Sequence, residues 1–326
     1  MGFTKIGVRL IIPVYAVAGL LLTSCCASHA ATFPAKPIRL VVSAAGGAGD
    51  FAARLIAADL TPRLRQQVVI DNRPGGVTPA EILVKAQPDG HTLMMVGFVV
   101  WLAPFMRDGL AFDPARDFAP VTMAINAPNV LVVHPSLRVK TVRELITLAR
   151  QKPGELNYAM SGIGNSNHIA GEVFKAMAGV RITPVPYRGA SLALADVIGG
   201  RVEMIFATYN ASGPHIAAGR LIALGVTTAQ PSPVAPGLQT VASAGLPGYE
   251  SAATIGVLAR MGTPAAVVNL LHREMARYLH SPEGRERLLK AGIEAIGNTP
   301  AEFAAIIRED MRIKGKIILD AGIRME

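Results

Sequence analysis

Apolar and polar positions along this chain alternate between two periods. Uninterrupted apolar runs at residues 38–42, 68–70, 92–96 and 121–125 read as strands, and Pro88-Asp89-Gly90 turns the chain into the third. Between the first two runs, Phe51, Leu55, Ile56 and Leu60 recur at helical spacing. Strands without polar alternation, separated by helices, are covered on both faces, so a mainly parallel sheet flanked by helices is expected. The pattern restarts at Val130 to Val133. Thr141 and Glu144 then form a capping box for a helix that turns Leu145, Ile146, Leu148 and Ala149 inward until Pro153-Gly154 stops it. Further strands are expected at 156–160, 181–187, 203–207 and 221–226, with helices at 168–178, 192–198 and near 215–218.

After an apolar run at 253–259 the pattern is helical: 264–279, 282–290, and a helix opened by the capping box Thr299 to Glu302. Phe303, Ile306, Ile307 and Met311 give that last helix its buried stripe. Helices without strands need a surface to cover, so the tail is expected to return to the first sheet. The resulting α/β organisation has a discontinuous first domain, 33–128 plus 253–326, and a second domain, 129–252, joined by crossings near residues 128 and 253.

The first thirty residues stand apart. Lys5 and Arg9 precede an uncharged run from Leu10 to Leu22, interrupted by Pro13 and Gly19, which is an export signal rather than a spanning helix. Two processing sites compete: a cut after Ala30, preceded by Ser28 in an S-x-A arrangement, and the lipobox-like Leu22-Thr23-Ser24-Cys25, which would leave Cys25 lipidated. Either way the location is periplasmic. Cys25 and Cys26 are the chain's two cysteines, so the body has no thiol nucleophile, disulfide or cysteine metal site. The net charge of +9 becomes +7 without Lys5 and Arg9, but no basic block of five or six residues occurs, and no nucleic acid partner is expected.

Candidate chemistry lies where strands hand over to helices. Gly47-Ala48-Gly49-Asp50-Phe51-Ala52 satisfies the dinucleotide pattern G-x-G-x-x-G/A, with Asp71 ending the next apolar run about 20 residues on. A second loop of the same kind, Ser161-Gly162-Ile163-Gly164-Asn165-Ser166-Asn167, leaves its strand for a helix near His168. Both deliver the chain to a helix N-terminus, where unpaired N–H groups favour an anion. Asp50 is expected to cap its helix, and His168 to bond its own loop. Tyr187-Arg188-Gly189 and Ala207-Thr208 follow two further strands, offering a guanidinium and neutral partners. The expected ligand contacts are Ala45, Gly46, Gly47, Gly49, Asp50, Ser161, Gly164, Asn165, Ser166, His168, Tyr187, Arg188, Gly189, Ala207 and Thr208. Many donors and few acids point to a small carboxylate. No histidine set has metal-ligand spacing, and Gly189-Ala190-Ser191-Leu192-Ala193 misses the second glycine of a nucleophile elbow.

The strings "FPAKPIRLVV", "VVIDNRPGG", "PDGHTL", "VLVVHPSL", "SGIGNSNHIAGEVF", "VPYRGASLALADVIGGRVEMIF", "GTPAAVV" and "DAGIRME", in this order, resemble the exported substrate-binding proteins of tripartite tricarboxylate transporters, the Bug family. The resemblance implies a bilobed, type II-like Venus-flytrap binding protein, monomeric, without catalytic activity, cofactor or metal. Such a protein closes on a small carboxylate and hands it to membrane transporter subunits. The chain departs from the family pattern at Ser43 and Ala44, where Pro and Phe are usual, at Gly49, where Ser or Thr is common, and at Val77-Thr78-Pro79, where a glycine-rich turn is shortened. Ala207 stands where Asp is frequent, so a ligand without an α-amino group is expected. A sensory binding protein feeding a signalling partner stands as an alternative. A dinucleotide enzyme would leave the second loop unexplained.

Overall fold

The computed structural model describes residues 1–3, 33–43, 45–73 and 76–325; the two processing sites lie outside them. The strands are β1 (Ile38–Val42), β2 (Val68–Asn72), β3 (Thr92–Gly97), β4 (Phe118–Ala127), β5 (Asn129–Val133), β6 (Asn157–Met160), β7 (Thr183–Pro186), β8 (Met204–Thr208), β9 (Ile222–Val226), β10 (Ala253–Arg260) and β11 (Glu294–Ala295). The helices are α1 (Ala48–Leu64), α2 (Thr78–Leu83), α3 (Val99–Met106), α4 (Pro114–Asp117), α5 (Val142–Gln151), α6 (Ser166–Ala178), α7 (Ala190–Ile198), α8 (Tyr209–Ala217), α9 (Ala265–His280), α10 (Pro282–Lys290) and α11 (Pro300–Asp320).

Two sheets form, ordered β11-β4-β10-β3-β1-β2 and β7-β6-β8-β5-β9. The sheets are mixed. In each, one long strand, β10 or β5, runs against its long neighbours, which share a direction. The reversal follows from the path of the chain. It leaves β4 at Ala127, crosses at Pro128, and enters β5 beside the end of β8, where Asn129 pairs with Thr208. It re-enters the first sheet at Ala253, opposite Ala127. A strand entered from the edge at which its neighbours end must run backwards, and the carboxyl edges of the two sheets therefore face each other across one crevice. The two crossing segments meet at buried Thr227, whose hydroxyl accepts from the Asn129 N–H at 3.0 Å and whose carbonyl accepts from the Ser251 N–H at 2.9 Å.

Alternation along β1 shows why both faces are covered. Ile38, Leu40 and Val42 pack with Ile56 and Leu60 of α1 and Leu271 and Met275 of α9, whereas Val41 joins Trp101 of α3 and Phe303 of α11 on the other face. The helical tail thus returns to the first sheet, as expected, and covers both of its faces. Each such side chain contributes about 1.5–3 kcal/mol when fully buried. Helix α3 has no counterpart in the periodicity, because Val99 to Met106 is apolar all round and sits inside the core. The Trp101 indole N–H donates to Asp310 Oδ2 at 3.0 Å, and buried Lys314 pairs with Asp310 Oδ1 at 2.5 Å, tying α3 to α11. Helix α8 also starts earlier than its proline suggests, at Tyr209, so Thr208 is its N-cap.

Candidate functional site

The loop between β1 and α1 is braced from below. Asp50 is not the N-cap: Gly47 is, and it has no side chain to cap with. As the third helical residue, Asp50 reaches back to accept the Gly46 N–H at 3.0 Å, while its other oxygen accepts from Asn72 Nδ2 at 2.9 Å and pairs with Arg54 at 3.0 Å. Burial pushes this carboxyl up, but Gly46, Asn72 and Arg54 together hold it below its ordinary value. Asp50 is buried, and its partners Gly46, Asn72 and Arg54 tie the loop to α1 and β2. Gly46 takes φ +82°, a left-handed conformation natural to glycine. Gly49 lies against Ile255 of β10, while Ala45, Gly46 and Gly47 are exposed. Asp71, the acid placed to hold a ribose, pairs instead with Arg39 and Arg73 and is likewise held low against its burial.

The loop between β6 and α6 is stitched to itself. Ser161 donates through N–H and hydroxyl to Asn167 Oδ1 at 3.3 and 3.2 Å, and Asn165 Nδ2 donates back to the Ser161 carbonyl at 3.3 Å. The Gly164 N–H donates to His168 Nδ1 at 3.0 Å, which assigns the ring proton to Nε2, on the side of Glu172. His168 is 5% exposed, and burial pulls its pKa down against the pull of Glu172. The imidazole is a neutral bolt holding the loop. Glu172 in turn accepts from the Tyr158 hydroxyl and Lys175, both at 2.7 Å. Ser166 begins α6.

The third loop points Arg188 into solvent, with no ion pair among the described residues. Tyr187 donates to Asp196 at 2.8 Å, and Gly189 is the N-cap of α7 at φ +121°. At the fourth, Thr208 is exposed and donates to Asn210 Oδ1 at 2.7 Å, whereas Ala207 is buried within its sheet beside Val130.

Two of these loops enclose a cavity of about 340 Å³. Gly46, Gly47, Ala48 and Phe51 form one wall, Thr208 and Asn210 the opposite one, with Ala127 and residues 291–293 between. Asn210 Nδ2 donates across the lobes to the Ala291 carbonyl at 3.4 Å, and Ser232 donates to Glu294. The Ser161 loop is not part of this enclosure. Its Gly164 packs on Met106 and Met325 of the first lobe, and among the described residues no hydrogen bond joins it to the Gly46 loop. Sequence reasoning missed Asn72, Phe51, Ala127 and the 291–293 segment. Asn72 was detectable as the polar end of the strand that Asp71 also ends; residues 291–293 follow a helix far along the chain and carry no signal.

A family model described as "Tripartite tricarboxylate transporter family receptor" matches residues 52–323. A UPF0065 protein in the tcbD-tcbE intergenic region of Pseudomonas sp. (strain P51) is 36% identical over 292 residues, covering 88% of this chain and 87% of that protein. Protein BugT of Bordetella pertussis (strain Tohama I) is 29% identical over 300 residues, covering 90% and 92%. Among solved structures, R. palustris Rpa4515 with adipate matches with a TM-score of 0.74 at 38% identity, over 90% of this chain and 99% of that one.

Proposed function

The chain belongs to the tripartite tricarboxylate transporter receptor family, and from that premise we propose that it works in the periplasm as a solute-binding protein. It captures a small carboxylate between its lobes and delivers it to a tripartite tricarboxylate-type membrane transporter. It performs no chemistry on the solute. The observation that carries this reading is the cavity between the Gly46-Gly47 and Thr208-Asn210 walls. Helices α1 and α8 both start there without a side-chain cap, and no charged side chain lines it. Helix starts left open present N–H donors to an oxyanion. The relative solved with adipate supports an acid as the solute.

Capture follows from the geometry. A carboxylate accepts hydrogen bonds at the start of α1, and closure about the crossings at Pro128 and Ala253 brings the second lobe over it. The domain limits follow those crossings. The bonds from Asn210 to Ala291 and from Ser232 to Glu294 hold the lobes together. With no acid in the lining and Ala207 inside the sheet, an α-amino group would meet no counter-charge. A thermal-shift panel of carboxylates tests this. A true ligand at 100 times its Kd stabilises by about 2.7 kcal/mol, and the primary amide of the same acid leaves the melting temperature unmoved. The absence of a shift with every acid would defeat the reading, and tight aspartate or glutamate binding would defeat its second part.

A further inference from the structure

Away from the crevice, a groove of about 740 Å³ runs between α1 and the turn that leads from α9 into α10. Arg63, Arg277 and Arg287 reach it from these three helices. Arg63 is spent on Asp59 and, at 3.5 Å, on Glu274, whereas Arg287 gives Glu283 a single N–H at 3.2 Å. The exposed guanidinium of Arg277 has no ion pair or hydrogen bond among the described residues. Burial and the charge of Arg277 both weaken the hold of Arg63 on its proton, against the pull of Glu274, so the two guanidiniums repel each other across the groove. With three guanidiniums against the carboxylates of Asp59 and Glu283, the lining is positive.

The floor supplies an independent sign of a ligand. Tyr278 is 4% exposed and lines the groove, and its hydroxyl has no hydrogen-bond partner, although Arg287 stands close enough to oppose the upward push of burial on the phenol. A buried hydroxyl without a partner is costly, and phenylalanine would serve as well unless the O–H meets something. We propose that this groove is a second binding site, for a phosphate-class oxyanion, either the free ion or a monoester on a small organic group. Its oxygens accept from the Arg277 fork, the spare N–H groups of Arg287 and the Tyr278 hydroxyl. Leu55, Pro62 and Pro282 extend the groove with apolar surface that an ester group would cover.

Calorimetric titration with inorganic phosphate and with phenyl phosphate, at constant ionic strength, tests this. Gly47→Asp fills the α1 start, so binding that survives in this variant comes from outside the crevice, and it is expected to survive. Arg277→Gln should bind both probes roughly tenfold more weakly. Tyr278→Phe should bind them roughly threefold more weakly while its melting temperature holds or rises, because no bond of the unliganded protein is lost. Tighter binding of phenyl phosphate than of phosphate would support the ester as the source, and equal or weaker binding the free ion. The proposal is overturned if neither probe binds, if Gly47→Asp abolishes binding, or if Arg277→Gln or Tyr278→Phe binds as tightly as the parent. A lower melting temperature in Tyr278→Phe would also overturn it, since the hydroxyl would then have a partner within the protein.

Discussion

Helices that start at the crevice and helices that start behind the sheets are finished differently. Asp113, Thr141, Ser281 and Thr299 begin α4, α5, α10 and α11, and each accepts a first-turn N–H through its side chain. Gly47, Asn165, Gly189 and Thr208 begin α1, α6, α7 and α8 at the carboxyl edges, and none does. Asn165 and Thr208 are good capping residues on suitably extended backbone, yet Asn165 turns back to Ser161 and Thr208 to Asn210. A side-chain cap stabilises by about 0.5–2 kcal/mol, and glycine at the same place gives up only a few tenths, so the cost falls mainly on Asn165 and Thr208; Val77 and Phe98, which begin α2 and α3 after β2 and β3, are likewise uncapped. Helix α9, which starts behind the first sheet on Pro264, is also uncapped, so position alone does not dictate a cap. The contrast teaches that stability is concentrated behind the sheets while donors are left open in front.

The sharpest way to break this contrast is to finish a crevice helix. Gly47→Asp supplies a capping carboxylate that occupies the N–H groups of α1. It is expected to reduce carboxylate affinity about 100-fold, the equivalent of two charge-assisted hydrogen bonds, while the melting temperature holds or rises. Unchanged affinity by titration would show that the anion does not sit at α1. Asp50→Ala acts from beneath the same loop, leaving the Gly46 N–H without its acceptor, Asn72 with only the long bond to the Ser43 carbonyl, and Arg54 with Asn72 but no carboxylate. About 2–3 kcal/mol of stability should be lost, read as a lower urea midpoint at unchanged slope. An Asp50→Ala protein as stable as the parent would mean that the loop holds its shape unaided.

Much of this arrangement is legible in the sequence because it is local. The glycine and serine runs after β1 and β6, the capping box at Thr299, the Thr141 cap and the strand periods each depend on neighbouring residues; at Thr141 the box is only half closed, because Glu144 accepts the Lys140 N–H and not that of Thr141. Strand direction is not local. The reversal of β5 and β10 is set by where the chain crosses between lobes, which no window of residues records. The helix expected near 215–218 starts at Tyr209 instead, because Pro214 within α8 forfeits one helical N–H and leaves the start intact. Asp50 resembles a cap until Gly47 proves to be one, whereupon its carboxylate reaches a residue further back. The wall at 291–293 depends on α10 ending beside a loop 80 residues earlier, a purely tertiary fact.

Removing a cap behind the sheets is the converse test and a smaller effect. Thr299→Ala breaks the reciprocal box in which Thr299 accepts the Glu302 N–H and Glu302 accepts the Thr299 N–H at 2.8 Å. About 1 kcal/mol of stability should go, with carboxylate affinity unchanged. An affinity loss in Thr299→Ala would erase the division between the two kinds of helix start.

The smallest expected effect concerns His168, the imidazole that bolts the Ser161 loop. In the unfolded chain its imidazole takes up a proton around pH 6.5. In the folded chain burial lowers that value, and the lone pair of Nδ1 is held by the Gly164 N–H. Folding is therefore favoured by this group above about pH 6.5, and the advantage shrinks as pH falls from there towards the folded value. Glu172 and Lys175 face the same ring and pull in opposite directions, which keeps the effect modest. Urea midpoints at pH 7.5 and 5.5 should differ more in the parent than in His168→Asn, whose amide oxygen can accept the Gly164 N–H without titrating. His272 shifts in the same sense and is present in both proteins, so it cancels in the comparison. Equal pH sensitivity in the two would mean that His168 contributes no titrating bolt, and that the Ser161 to Asn167 bonds hold the loop by themselves.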